Sequence, residues 1–348
     1  MRTALLVLAF VFSGFAAEPA LAKRYAKPAR AQPELITMMT ESFDAPGMRY
    51  AADIAASVDG EQNLRIIPMA GRGPVDTIND ILYLRGVDTG IVPGDVIAFM
   101  KDQNILGEAN GKLLAIAKLD SAQVHVVARK DITSLTDLAG KRVDIGTPAQ
   151  ARFLTGTLLF KRLDIPFVAV NNAREDALRS LMDGSSDAIV IVDTQPSALI
   201  ESLAKHGAYH LLPIGMTEAL SDVYSPALLT AESYGDLLDE GNVETIAVSS
   251  LVAVFDWPKS TERYYAMKKL TAALYGNGTA LRDSSRYGIW DDINLAGDIP
   301  GWERYVTSVE WLAKHKAARA LPAEDARALR EQLQSMTRVS EQRSSARN

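Results

Sequence analysis

The chain has 348 residues, 47% of them hydrophobic and 23% charged, with 43 acidic against 37 basic side chains and a formal net charge of −6. An acidic balance without a long Lys/Arg run disfavours a phosphate-backbone partner, so no nucleic acid is expected. The absence of cysteine excludes disulfides, thiolate nucleophiles and zinc–thiolate sites, and stability must come from a packed core that a chain of this length divides between two lobes.

Residues 1–22 combine Arg2, an apolar run from Ala4 to Phe12 and a small-residue stretch ending Ala20-Leu21-Ala22. That pattern predicts a cleavable secretory signal peptide, with cleavage after Ala22 and a mature chain in the periplasm. The run is too short to span a bilayer, and no later segment is apolar for about 20 residues. The segment carries one basic residue, Arg2, and one acidic residue, Glu18, so its removal leaves the net charge unchanged. Residues 23–32 (KRYAKPARAQ) read as a flexible leader.

From Pro33 onward short β-branched runs alternate with stretches of helical period: strand Glu34–Thr40, helix Gly47–Val58, strand Asn63–Met69, helix Gly73–Arg85 and strand Val87–Val92. Such βαβαβ order predicts a parallel sheet with helices on both faces. Strands Leu113–Lys118 and Gln123–Ala128 follow. The same grammar then repeats: strand Lys141–Ile145, helix Ala149–Leu163, strand Phe167–Val170, helix Arg174–Met182, strand Asp187–Val192 and a helix running to about His206. Gly140, Gly184 and Gly207 fall where helix ends need a positive φ. Val243–Phe255 is the segment that returns the chain to the first lobe, and the remainder is helical: Lys259–Leu274, Trp302–His315 and Ala323–Met336, with a disordered tail over 339–348. Crossings near Ser121–Ala128 and Thr245–Val254 imply a two-stranded hinge. The fold expected is α/β with two lobes, 33–120 plus 248–338 and 121–247, each a mainly parallel sheet flanked by helices.

Catalytic patterns are missing from the sequence. None of His125, His206, His210 and His315 forms a zinc-protease pair, since His206 and His210 lack the adjacent Glu; the two straddle Gly207 and read as surface residues at a helix end. Gly71-Arg72-Gly73-Pro74-Val75-Asp76 has Asp where a dinucleotide fingerprint needs its third glycine. Gly107–Lys112 is one residue short of a P-loop and is followed by Leu113. No G-x-S-x-G elbow occurs. An enzyme, a cofactor or a metal is therefore not expected. What remains are polar loops after predicted parallel strands, where open α/β sheets place ligands: Thr40, Glu41 and Ser42; Arg72 and Gly73; Pro93 and Asp95; Thr147, Gln150 and Arg152; Asp193 and Gln195. Helix N-termini in these loops attract anions, and Arg72 and Arg152 can hold one bidentately or make intramolecular salt bridges instead. Thr147, Asp95 and Asp193 are also helix-capping residue types.

Ser134-Leu135-Thr136-Asp137-Leu138-Ala139-Gly140-Lys141-Arg142-Val143, followed by Asp144-Ile145-Gly146-Thr147-Pro148, resembles a stretch common to periplasmic solute-binding proteins. Gly71–Asn79, Val87–Asp95 and Ala188–Val192 with Gln195-Pro196 narrow the resemblance to the TAXI receptors of tripartite ATP-independent periplasmic (TRAP) transporters, over about Pro33 to Leu274. The resemblance implies a type II periplasmic-binding-protein fold, capture of small organic acids such as amino or dicarboxylic acids and delivery to a membrane permease; the reading adopted is a monomeric receptor that takes a small polar, carboxylate-bearing solute to a TRAP-type permease. The receptor of an ABC importer for sulfonate-like or phosphonate-like ligands, or a subunit presenting ligand to a sensor kinase, is the alternative. Two loops depart from the family: Thr40–Gly47 replaces a Gly-rich turn, and Ala149-Gln150-Ala151-Arg152 replaces a GSGT-like one. Glu41 beside the cleft favours a ligand with a cationic group.

Overall fold

A computed structural model describes residues 33–43, 45–58, 63–109, 111–204, 207–238, 241–278, 281, 289–290 and 293–315. The signal segment, the leader, His206, the helix Ala323–Met336 and the tail lie outside the described residues. Strand β1 (Glu34–Thr40) turns Ile36, Met38 and Thr40 inward. Helix α1 (Pro46–Val58) covers it with Tyr50, Ala51, Ile54 and Val58, one face at helical spacing. Then come β2 (Leu64–Ala70), α2 (Pro74–Tyr83, with Pro at its first position), β3 (Thr89–Pro93) and α3 (Val96–Asp102). Strand β1 pairs in parallel with both β2 and β3.

The second half follows a 17-residue strand, β4 (Leu113–Arg129). Its elements are β5 (Arg142–Asp144), α4 (Ala151–Arg162), β6 (Val168–Val170), α5 (Arg174–Met182), β7 (Ala188–Asp193), α6 (Ala198–Ala204), β8 (Tyr209–Leu211), α7 (Glu218–Ser221), β9 (Ser225–Leu229) and α8 (Ala231–Tyr234). Strand β10 (Val243–Phe255) returns, and α9 (Glu262–Gly276) and α10 (Val306–His315) close the described fold.

The strands run in the order β2-β1-β3-β10-β4-β7-β5-β6, with β8 on β4 and β9 on β10. The outer pairs of each half are parallel, as the βαβ grammar requires. The middle is antiparallel, because β10 runs against β3 and β4, and β4 against β7. The chain thus has the two-lobe α/β fold, with β4 and β10 continuous through both halves. Their register shifts twice, between Val252 and Ala253 and, at the centre, between Ser249 and Leu251; there Ser249 faces Ser121 and Leu251 faces Lys118, so Ser250 alone opposes both Leu119 and Asp120. Such a bulge twists a strand and re-aims a side chain.

Among the described residues three apolar clusters form the core. Ile36, Ile54, Leu270, Trp290 and Tyr305 belong to one on the first half, and Ile189, Leu211 and Tyr234 to one on the second. The third runs between the halves, joining Val96, Phe99 and Met100 of α3 to Leu154 and Leu158 of α4, with Phe99 and Phe153 edge to face at 6.0 Å. Among the described residues no helix is long and apolar enough to cross a membrane.

Several expected boundaries shift for local reasons. The helix expected from Lys259 starts at Glu262, because Thr261 accepts a hydrogen bond from Tyr264 N (3.2 Å) and caps it there. The helix expected from Trp302 starts at Val306, because the preceding residues extend the sheet: Ala115 N donates to Glu303 O and Tyr305 N to Ala115 O, both at 2.9 Å. That segment covers the free edge of β4. Leu113–Lys118 and Gln123–Ala128 are one strand rather than two, and β8, β9 and α3 are additions. His210, expected on the surface at a helix end, lies buried in β8 with Nε2 against Ile132 O at 2.6 Å.

Helix α4 sits so closely on the loop after β5 that a Cβ at Gly156 would meet Ile145 Cγ2 at 2.6 Å and its Cβ at 2.8 Å. Gly156→Ala is expected to destabilise the fold by about 1–3 kcal/mol through overpacking, as read from urea unfolding midpoints.

Candidate functional site

Three carboxylates gather at the carboxyl end of the first half-sheet. Glu41 follows β1, Asp95 follows β3, and Asp120 stands in the bulge of β4 opposite Ser250, which itself pairs with Pro93 at the end of β3. Asp95 is fully buried; its Oδ2 accepts from Thr155 Oγ1 at 2.6 Å and Tyr224 OH at 3.2 Å. Its Oδ1 has no partner among the described residues, and the same holds for Asp120 Oδ1. Loss of hydration, with the like charges of Asp95 and Asp120, pushes Glu41 up to about 8. Burial pushes Asp95 up to about 6 against the hydrogen bonds from Thr155 and Tyr224. Asp120 is raised by burial too, opposed by the hydroxyls of Ser250 and Tyr50 and by Lys118. Among the described residues no three His, Asp or Glu side chains form a group fit to hold a metal ion.

The facing loop of the second half is built on an internal ion pair. Arg152 is buried at the start of α4, with Nη1 3.2 Å from Asp144 Oδ1. It also donates to Val190 O (3.2 Å), Asn172 O (2.7 Å) and Gln150 Oε1 (3.2 Å). Asp144 in turn accepts from Gly146 N at 2.9 Å and Asn172 Nδ2 at 3.0 Å. Gln150 Oε1 accepts from Thr147 N at 3.2 Å and precedes the helix directly, so Gln150, not Thr147, occupies the capping position. The two halves touch here. A Cβ on Gly73, whose φ is +135°, would lie 3.0 Å from Ala149 Cα and O, and Asp95 meets Thr155 of α4.

The other predicted residues have other employment. Arg72 is 73% exposed, 3.5 Å from Asp76 and 3.9 Å from Asp80, a pairing with the helix it precedes. Thr40 is buried and binds the turn, donating to Ser42 O (3.2 Å) and Met69 O (3.4 Å). Asp95 precedes α3 but makes no side-chain cap bond. Asp193 accepts from Ser197 Oγ (2.8 Å), Thr194 N (3.0 Å) and Arg174. Gln195 ties three segments together: its N donates to Gln123 Oε1 (3.0 Å), its Nε2 to Leu228 O (3.0 Å), and its Oε1 accepts from Thr230 N (3.1 Å).

Sequence reasoning missed Asp120, Tyr50, Thr155 and Tyr224. Asp120 carried a signal: with Lys118 it places charge in mid-strand directly after the apolar run Leu113–Ala117. Trp302 also belongs here, since its Nε1 donates to Gly94 O at 2.7 Å and fixes the loop that presents Asp95. A separate concavity of about 400 Å³ lies at the opposite end of β1, lined by Glu34, Leu35, Thr261, Glu262 and Arg263. It is remote from the strand ends where open sheets place ligands.

Two α/β halves strung on two shared strands, with loop ends meeting face to face, define a two-lobe α/β fold. Residues 47–287 match the model of the NMT1-like family, and the chain belongs to that family. No curated protein matches it in sequence. Similar solved structures include a TctC solute-binding protein from Polaromonas (14% identity, 81% of this chain and 95% of that one, TM-score 0.49). Another is MatC from Rhodopseudomonas palustris with bound malate (17%, 72% and 88%, TM-score 0.45). A third is described as a putative periplasmic sulfonate-binding protein of an ABC transporter from Methylobacillus flagellatus (12%, 73% and 69%, TM-score 0.44).

Arg152→Ala leaves Asp144 buried without its cation and is expected to cost about 3–5 kcal/mol in urea unfolding. Glu41 acts on stability with the opposite sense to a paired carboxylate. Its folded value lies above its unfolded one, so its contribution is full below about 4.5 and is lost as pH rises through about 8. Glu41→Gln should therefore raise the thermal midpoint relative to the parent at pH 8 and above, with a much smaller difference at pH 5, in paired melting curves.

Proposed function

We propose that this chain is a periplasmic solute receptor, exported through a signal peptide cleaved after Ala22. It takes a small polar solute between a lobe of residues 33–120 plus 248–338 and a lobe of residues 121–247, and delivers it to a TRAP-type membrane permease. No covalent chemistry takes part. The observation that carries this reading is the meeting of Gly73 with Ala149 and of Asp95 with Thr155: loops from the strand ends of two separate βαβ units converge on one place. Membership of the NMT1-like family supports it, as does the Ser134–Pro148 motif for the TRAP assignment. Strands β4 and β10, the connections through the centre, are suited to a hinge. Both arginines expected at a carboxylate are engaged elsewhere, so a solute carboxylate would rest on backbone N–H groups at the starts of α2 and α4.

The test is thermal unfolding of the purified chain, refolded to remove carried-over solute, against amino acids, dicarboxylates, keto acids, sulfonates and phosphonates. A ligand at 100 times its Kd is expected to add about 2.7 kcal/mol, a rise of several degrees in midpoint. No shift with any solute, for a chain with native circular dichroism, would reject the receptor reading. A shift confined to sulfonates or phosphonates would replace the TRAP assignment with an ABC-type one.

A further inference from the structure

We propose that the carboxylates of Glu41, Asp95 and Asp120 form a subsite for the cationic group of the solute, a protonated amine or guanidinium. The inference rests on the receptor reading and names the class of its ligand.

The placement of the three acids is built. The end of β1 brings Glu41, the end of β3 brings Asp95, and the bulge in β4 brings Asp120 opposite Ser250, whose strand neighbour on the other side is Pro93. Glu41 and Asp95 thus stand just beyond the ends of β1 and β3 and Asp120 level with Pro93, a row close enough for Asp95 and Asp120 both to act on Glu41. A buried carboxylate oxygen normally finds a donor. Here Asp95, with no exposed surface, keeps Oδ1 unpartnered while its other oxygen is doubly engaged, and Asp120 keeps a buried Oδ1 in the same condition. Two orphaned acceptors and a third carboxylate beside them are the complement of a group that has several N–H donors and a positive charge.

Other occupants fit less well. The three acids do not form a metal-binding group. Arg72 is held by Asp76 and Asp80 on the surface, and Arg152 by Asp144 in the second half. Lys118 faces Asp120 but also Asp298, and burial weakens its hold on its proton. The remaining polar neighbours are Tyr50, which faces Asp120, Asp53 and Arg49, and Tyr224, which faces Asp95, Arg162 and Asp222. The groups acting on Glu41 are Asp95 and Asp120, both of its own sign. An anionic solute group placed on this row would add a fourth negative charge.

A cation bound here favours the ionised carboxyls, so protons leave as it enters. Glu41 holds its proton up to about 8 and Asp95 up to about 6. Affinity for an amine should then rise from pH 6 to pH 8.5, whereas affinity for an anion at the same row should fall.

The experiment is isothermal titration of the purified, refolded chain with putrescine, L-arginine, L-lysine, malate and methanesulfonate at pH 6 and 8.5, in buffers of different ionisation enthalpy. The expected result is binding by at least one amine-bearing solute, tenfold or more tighter at pH 8.5, with net proton release. Glu41→Gln and Asp120→Asn, each checked for a cooperative melt, should weaken it at least tenfold. Binding of malate or methanesulfonate with no such pH rise, and equal in Glu41→Gln, would overturn the cation subsite while leaving the receptor reading intact. Failure of every solute to bind the natively folded chain would sink both. The pH series on the unaltered chain decides the matter even where a variant fails to fold.

Discussion

The antiparallel pairing of β4 with β10 is the constraint from which the remaining geometry follows. Each strand is long enough to serve both halves, so the parallel βαβ units on either side are fixed to one frame. With β1 and β3 parallel to each other and β10 running against them, the carboxyl ends of β1 and β3 reach the middle of β4 and β10, not their tips. One of the two register shifts between these strands occurs at that level. A regular ladder gives each residue one partner, and the extra residue in β4 lets Asp120 turn toward the loops. Sheet topology thus sets the location of the carboxylate row, and a one-residue irregularity sets its membership.

Two kinds of buried charge contrast sharply in this fold. Arg152 and Asp144 lie deep, and their polar atoms meet partners in a network that reaches Gly146, Gln150, Asn172 and Val190. A buried ion pair of that sort is tolerable because its hydrogen bonds replace water, and it shapes the loop at the start of α4. The acidic row is the reverse case. Three groups of one sign stand together, two with buried orphaned oxygens, and their raised affinity for protons is the price of that arrangement. The cation proposed above would neutralise that cluster.

The βαβ alternation was legible almost to the residue: strands Glu34–Thr40 and Val243–Phe255 and helix Arg174–Met182 agree with the structure throughout. Helical spacing in α5 and runs of apolar, β-branched residues in the strands carry that information, β10 being buried almost end to end. Short β8 and β9 were not legible, since three and five residues give no period to read, and they exist through pairing with β4 and β10. The strand-end loops were also legible, which brought Glu41 and Asp95 into view. The partners of their charges were not. Whether Arg152 faces a ligand or an internal acid depends on Asp144, eight residues away, and nothing in local spacing shows that they meet. Asp120 was visible only as a charge in mid-strand after an apolar run, a signal that acquires meaning once the bulge is seen. Trp302 reaches Gly94 across 208 positions of sequence, beyond any pattern of period or cap.

Asp95 joins the carboxylate row to the contact between the halves. One of its oxygens has no partner among the described residues, while the other receives Thr155 of α4 and Tyr224 from the loop before β9. A hydrogen bond to an ionised acceptor is roughly twice as strong as one to a neutral group. Whatever holds Asp95 ionised at its first oxygen therefore strengthens the two bonds that tie the second half to the first. Around this carboxylate the apolar packing of α3 on α4 is already in place, with Phe99 on Phe153, so a modest change in two buried hydrogen bonds acts on an interface that is otherwise preformed. Charge at the row and the bonds between the halves are thereby linked through one side chain, a link that under the proposed receptor reading would couple a filled cleft to closure.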